Sequence, residues 1–296
     1  MLSRLDVKPV NTAKVKLLSS MAIFGTVGIF VNYIPLPSAQ IAFCRAVLGF
    51  VFLLTVMGIA GKKPAWAGLR RNLPLLLLSG AALGGNWILL FEAYRHTGVP
   101  TSTACYYLAP MFLVLAAPLW KERLTARKLC CVGVAFIGMV LVSGVLKSTA
   151  QLPGILLAIG AAVLYACVMG LNKQLADLPA HDKTLVQLAV AALAILPYML
   201  LSGPVEFPAE PMVLVLLGVV GIIHTGLAYW LYFGSVKALP TQTVAIFSYL
   251  DPAIAIVLSA VLLQQIPDLT GIAGCILILG SALYCEFFCD EKNSCH

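Results

Sequence analysis

Apolar runs of about twenty residues recur ten times along this chain, at 16–34, 38–60, 73–96, 98–120, 127–146, 152–172, 184–201, 211–233, 240–263 and 269–288. A helix needs about 20 mostly apolar residues to cross the hydrocarbon layer of a bilayer. In lipid, backbone donors and acceptors must also be satisfied within the segment, which favours helices. The pattern predicts an all-α membrane protein with ten transmembrane helices. Most separators are short and carry turn residues, such as PLPS at 35–38 and HTGVP at 96–100. The longest loop, GKKPAWAGLRRN at 61–72, leaves no room for a soluble domain. Composition agrees: 61% of the 296 residues are hydrophobic and 10% charged, where a soluble domain is about a quarter charged.

The few charges set orientation. Lys and Arg gather in loops on the cytoplasmic side of a membrane. With both termini cytoplasmic, Arg4, Lys8, Lys14, Lys16, Lys62, Lys63, Arg70, Arg71, Lys121, Arg123, Arg127, Lys128, Lys173, Lys183, Lys237 and Lys292 all fall inside. These are sixteen of the nineteen basic residues; Arg95 and Lys147 lie outside and Arg45 within a segment. The net charge of +7 is therefore topology and calls for no nucleic-acid partner. The polar, basic first fifteen residues show no apolar stretch of signal-peptide type. A multi-pass protein of the cell membrane is expected.

Seven of the nine cysteines fall inside apolar segments and none in an outward loop, so small buried hydrophobes are expected rather than a disulfide framework. Cys285, Cys289, Cys295 and His296 at the end match no standard zinc spacing. No metal or other cofactor is called for.

The chain also repeats itself at an offset of 142 residues: Gly28 matches Gly170, Leu36-Pro37 matches Leu178-Pro179, and Phe91 matches Phe233. Most telling, Tyr107-Leu108-Ala109-Pro110 aligns with Tyr249-Leu250-Asp251-Pro252. Halves of five helices, an odd number, must lie inverted to one another. The expected units are residues 1–146 with helices one to five, and 147–296 with helices six to ten. Basic KERLTARK after the fourth segment and non-basic QQIPDLT after the ninth agree with opposite sides. Inverted repeats suit alternating access, because the halves can exchange roles about a site near the midplane.

Several residues then carry a resemblance: Arg45 in AFCRAVLGF, the run PMFLVLAAPLWKERLT, Tyr165 through Asn172-Lys173, Leu250-Asp251-Pro252, and the glycine-spaced fifth and tenth segments. On these the chain resembles the drug/metabolite transporter superfamily, in its EamA-like ten-helix branch, over essentially its whole length. The resemblance implies a secondary transporter of a small organic solute such as an amino acid, metabolite or drug-like compound, with export the expected direction. The family often has an acidic residue where this chain has Gln264, while Glu122 keeps it in the first half.

An ionisable side chain at mid-membrane costs about 2.5–3.5 kcal/mol on insertion scales, so each such residue is a functional candidate. Glu92 lies one turn before Arg95 and His96 and shares their face. It is either an outer ion pair or a proton- or cation-binding carboxylate. Arg45 lies about 10 Å into the second segment, within reach of Glu92, as bundle glue or as contact for an anionic substrate group. His224 is a bridging hydrogen-bonder or a proton carrier. Asp251, the deepest acid, precedes Pro252, which frees a carbonyl one turn back; it is expected to bind a coupling ion or a substrate amine. Trp87, Tyr107, Tyr229 and Tyr249 are candidates for a cavity lining, whose ring faces suit organic and cationic solutes.

The expected partners are thus a small-molecule substrate, the lipid bilayer and a proton. An intramembrane enzyme or lipid-handling protein is the rival class. Against an enzyme, the sequence has no His-Glu-x-x-His, no Gly-x-Ser-x-Gly and no usably spaced carboxylate pair.

Overall fold

The computed structural model describes residues 7–120, 125–143, 151–175, 177–205, 210–236, 247 and 250–288. Among these, every regular element is helical. In chain order they are α1 (Val7–Asn32), α2 (Ser38–Ile59), a short α3 (Trp66–Arg71), α4 (Leu73–Tyr106), α5 (Ala109–Leu115), a 3-10 turn (Ala117–Trp120), α6 (Ala126–Ser143), α7 (Leu152–Gln174), α8 (Ala180–Leu201) and α9 (Pro211–Gly218). A π-helical stretch, Val219–Leu227, joins α9 to α10 (Ala228–Val236), followed by α11 (Leu250–Leu262) and α12 (Leu269–Phe288).

Among the described residues, six helices are long and apolar enough to cross a membrane: Asn11–Asn32, Ser38–Ile59, Leu73–Tyr106, Leu152–Gln174, Ala180–Leu201 and Pro211–Tyr232. The protein is inside out relative to a soluble domain. Leu54, Leu77, Leu193, Leu201, Val257 and Ile276 face outward, whereas Arg45, Asn86, His224 and Thr225 are buried. An apolar exterior around a polar interior is stable only where the surroundings are lipid.

The expected segments at 73–96 and 98–120 are separated by a kink. α4 comprises two helices that meet at Gly98, whose geometry is non-helical (φ 77°, ψ 169°). Pro100, two residues on, lacks a donor and its ring crowds the carbonyl of His96, four residues back. The amide of Val99 instead donates to Gln265 Oε1 at 2.8 Å, in the link after α11. The second segment then breaks again at Tyr107–Leu108, where α4 ends and α5 begins. Of the expected segment at 240–263, residues 240–246, 248 and 249 lie outside the described residues.

Gly98 occupies a backbone region that essentially only glycine adopts. A Cβ there would also stand 2.9 Å from Gln265 Oε1. Gly98→Ala is therefore expected to destabilise the protein by about 1–3 kcal/mol, read as a lowered thermal midpoint in detergent. Gln265→Ala keeps the backbone conformation and removes only the acceptor of Val99.

Packing brings the helices together around one centre. α4 lies against α7 and α8, α2 against α8 and the π-helical stretch, α1 against α10 and α11, and α6 against α12. The last pair touches backbone to backbone, since a Cβ on Gly138 would lie 2.7 Å from the carbonyl oxygen of Gly274. Gly84 is similarly pressed against Ile195, while Gly133 and Gly280 face open space. Small residues at such crossings let helices approach closely in lipid.

Candidate substrate site

Among the described residues, Arg45 and Asp251 bring a cation and an acid to the centre of the bundle, each set by different helices. Arg45 on α2 is 5% exposed and lies over the indole of Trp87 on α4, 4.2 Å from the ring centroid, with Phe91 at 5.4 Å. Its Nε donates to Thr225 Oγ1 at 3.0 Å. Thr225 lies in the π-helical stretch and donates in turn to the Val220 carbonyl, five residues back, at 3.0 Å. Gly49, one turn beyond Arg45, admits this approach: a Cβ there would meet the Thr225 methyl at 2.6 Å. Single-turn π distortions recur at functional sites, and here the distortion delivers both Thr225 and His224.

Asp251 stands at the start of α11 and accepts a hydrogen bond from the Tyr107 hydroxyl at 2.6 Å. That length is typical of a hydroxyl donating to a carboxylate. Tyr107 caps α4 at its second break, so the helix interruption aims the phenol across the bundle. The backbone of Asp251 lies against α1, where a Cβ on Gly25 would stand 2.7 Å from its carbonyl oxygen.

Tyrosines connect the two poles. Tyr94 and Tyr229 each lie within electrostatic reach of both Arg45 and Asp251. Tyr106 stacks on Tyr165 at 5.2 Å and meets Tyr107 edge-on at 6.1 Å. Its hydroxyl donates to Asn86 Oδ1 at 3.4 Å, and Asn86 Nδ2 donates to the Ala161 carbonyl at 2.7 Å. Tyr229 packs against Phe24 of α1 at 5.3 Å.

His224 is 2% exposed and bridges α1 to the π-helical stretch. Its Nε2 lies 2.8 Å from Thr26 Oγ1 and its Nδ1 3.2 Å from the Val219 carbonyl oxygen. A carbonyl only accepts, so Nδ1 carries a proton. Thr26 Oγ1 is also 2.8 Å from the Ile23 carbonyl oxygen. Its single hydrogen serves either that carbonyl or a neutral Nε2, and protonation of the ring decides which.

The structure buries Arg45, Trp87 and His224 in this interior and half-buries Tyr107, Tyr229 and Asp251 beside them, while Tyr249 lies outside the described residues. Glu92 belongs elsewhere. It accepts from Ser38 Oγ at 2.6 Å and lies 3.6 Å from His96 Nε2, toward the end of α2 that begins at Ser38. The expected reach from Glu92 to Arg45 is not used, because stacking on Trp87 and the bond to Thr225 hold the guanidinium further in. Arg95, also placed on Glu92's face, lines an open cleft of about 390 Å³ with Val31, Asn32, Ile34, Phe91 and Tyr94. Gln187, 142 residues after Arg45 in the sequence, donates to Ser79 and Asn172, each at 2.8 Å.

Sequence reasoning missed Thr26, Asn86 and Thr225. Asn86 adjoins Trp87 and Thr225 adjoins His224, and that adjacency was the available signal; Thr26 has no such neighbour.

Comparison with known proteins adds the lineage. The model of the EamA-like transporter family matches twice, over residues 13–144 and 152–285. The chain is 32% identical over 282 residues to "Uncharacterized transporter YxxF" of Bacillus subtilis (strain 168), covering 93% of this chain and 90% of that one. It is 25% identical over 270 residues to "Protein PecM" of Dickeya dadantii (strain 3937), covering 80% and 86%. A solved structure at 21% identity shares the fold, with a TM-score of 0.66 over 91% of this chain and 95% of the other. The chain belongs to the EamA-like transporter family, a membrane-transporter lineage consistent with the drug/metabolite transporter superfamily.

Proposed function

We propose that the protein is a secondary carrier of small organic solutes that bear a carboxylate, an amine or both, working by alternating access. The observation that carries this is the pairing of Arg45 on Trp87 and of Asp251 with Tyr107 in one apolar bundle, with Tyr229 within electrostatic reach of both. A guanidinium recognises carboxylate oxygens by paired N–H donors. Among the described residues, Nε is the guanidinium nitrogen whose hydrogen bond is taken, which leaves the outer edge of Arg45 for a ligand. Asp251 with ring faces around it suits an amine.

In this proposal residues 1–146 and 147–296 are five-helix halves of opposite orientation, ten helices in all. The double family match and the contact of Gly138 with Gly274 support that division. Arg45, Trp87 and Tyr107 come from the first half, and Thr225, Tyr229 and Asp251 from the second, so relative motion of the halves remakes the site. Export rests on the family resemblance. The basic-residue pattern supports a cell-membrane location with both termini cytoplasmic. Asp251 is the first choice for proton coupling, with His224 through its Thr26 hydrogen next and Glu92 as an outer relay.

The test is solute movement into proteoliposomes across a panel of amino acids, carboxylates and amines, with and without a pH gradient. Saturable movement of at least one solute class is expected, and no movement of any would overturn the proposal. His224→Gln keeps a bridge to Thr26 but cannot take up a proton. If His224 couples transport, this variant is expected to lose pH-gradient stimulation while keeping solute exchange at equal pH.

A further inference from the structure

The 61–72 loop is not a loose tether. It is docked at three points on the second half of the chain. The Ala65 amide donates to Asp182 Oδ2 at 2.9 Å, and Asp182, 1% exposed at the start of α8, is buried beneath it. Leu69 of α3 is buried with Leu76, Leu175 and Leu178, and a Cβ on Gly68 would stand 2.7 Å from Leu178 Cδ2. Lys62 Nζ lies over the Trp230 ring of α10 at 4.8 Å. One face of α3 is therefore sealed against the bundle.

The opposite side is basic and aromatic. Trp66 is 61% exposed, and Lys63, Arg70 and Arg71 are exposed as well. None of these three cations makes an ion pair among the described residues, and residues 61–72 contain no acid. Trp66 and Arg70 are four apart and share a helix face. Position fixes the surroundings: α3 lies between the end of α2 and the start of α4, two helices long and apolar enough to span. It therefore sits at the level of the phospholipid headgroups, where indoles concentrate.

We infer that α3, with Lys63, Arg70, Arg71 and Trp66, is a docking surface for anionic phospholipid headgroups in the adjoining leaflet. The occupant follows from charge. Three unpaired cations on a seated helix meet headgroup phosphates, and anionic lipid retains them where zwitterionic lipid does not. Each basic residue held near an anionic membrane surface strengthens attachment by about fivefold. Because Asp182 and Trp230 clamp the same loop to α8 and α10, lipid bound here is linked through the loop to α10, which carries Tyr229. The inference does not depend on what the protein transports.

Native mass spectrometry of the purified full chain, titrated with phosphatidylglycerol or phosphatidylcholine, reads the bound lipid directly. The wild-type chain is expected to retain phosphatidylglycerol at least fivefold more strongly. The variant Lys63→Gln/Arg70→Gln/Arg71→Gln changes exposed side chains only. It is expected to lose phosphatidylglycerol retention by fivefold or more with an unchanged thermal midpoint. Equal retention of the two lipids by the wild-type chain, or a loss under twofold in the variant, overturns the inference. Displacement of phosphatidylglycerol by millimolar inorganic phosphate also overturns it, because the surface would then hold free anions rather than a membrane.

Discussion

Asp251→Asn is expected to lower transport by about 10- to 100-fold and to leave the fold intact. Asparagine keeps the shape of the side chain and an oxygen that can accept from Tyr107, whose hydroxyl stands 2.6 Å from Oδ2. What it removes is the negative charge. A hydrogen bond involving a charged group is worth about 1.5–3 kcal/mol, and each 1.4 kcal/mol is a factor of ten in affinity. If Asp251 served packing alone, this substitution would be close to silent, because the isostere fills the same space. Tyr107→Phe separates the roles further. It deprives the carboxylate of its donor and leaves the charge, so binding weakens less than with Asp251→Asn. Equilibrium binding to purified protein, followed by uptake in proteoliposomes, measures both.

Arg45→Gln is expected to have an effect of similar size on a different part of the substrate. The guanidinium makes a cation–π contact with Trp87 and a bond to Thr225, which orient it before any ligand arrives. A desolvated contact of this type is worth about 2 kcal/mol or more. Glutamine can still reach Thr225 but offers neither the charge nor the planar pair of donors. Solutes bearing a carboxylate should lose 10-fold or more in affinity, while a purely cationic analogue should be spared. The Asp251→Asn variant should show the reverse preference. Lysine at position 45 restores charge without the fork, and partial recovery is expected. Loss of all solutes alike in both variants would point to a collapsed bundle rather than two poles of one site.

Much of the architecture was legible because lipid imposes strong rules. The apolar runs marked the helices, and the polar residues within them marked the interior: Arg45, Asp251 and His224 each stand out as isolated ionisable groups in apolar sequence. What the sequence could not resolve was three-dimensional. Glu92 and Arg45 are at comparable depth by residue count, yet stacking on Trp87 holds Arg45 away from Glu92, and that choice depends on the rotation of α2 and α4. The π-helical stretch around His224 has no simple sequence signature, since its residues are ordinary helix formers in lipid. Thr225 becomes visible as Arg45's partner only once α2 and that stretch are in contact.

In the proposed carrier, one solute bridges Arg45 and Asp251. The most direct measurement is a thermal-shift screen of purified protein against a panel of zwitterionic, anionic and cationic solutes. The best stabilising ligand is then re-titrated with Arg45→Gln and with Asp251→Asn. The account predicts a saturable stabilisation that weakens at least tenfold in each variant, with opposite preferences for anionic and cationic analogues. Unchanged affinity in both variants would contradict it.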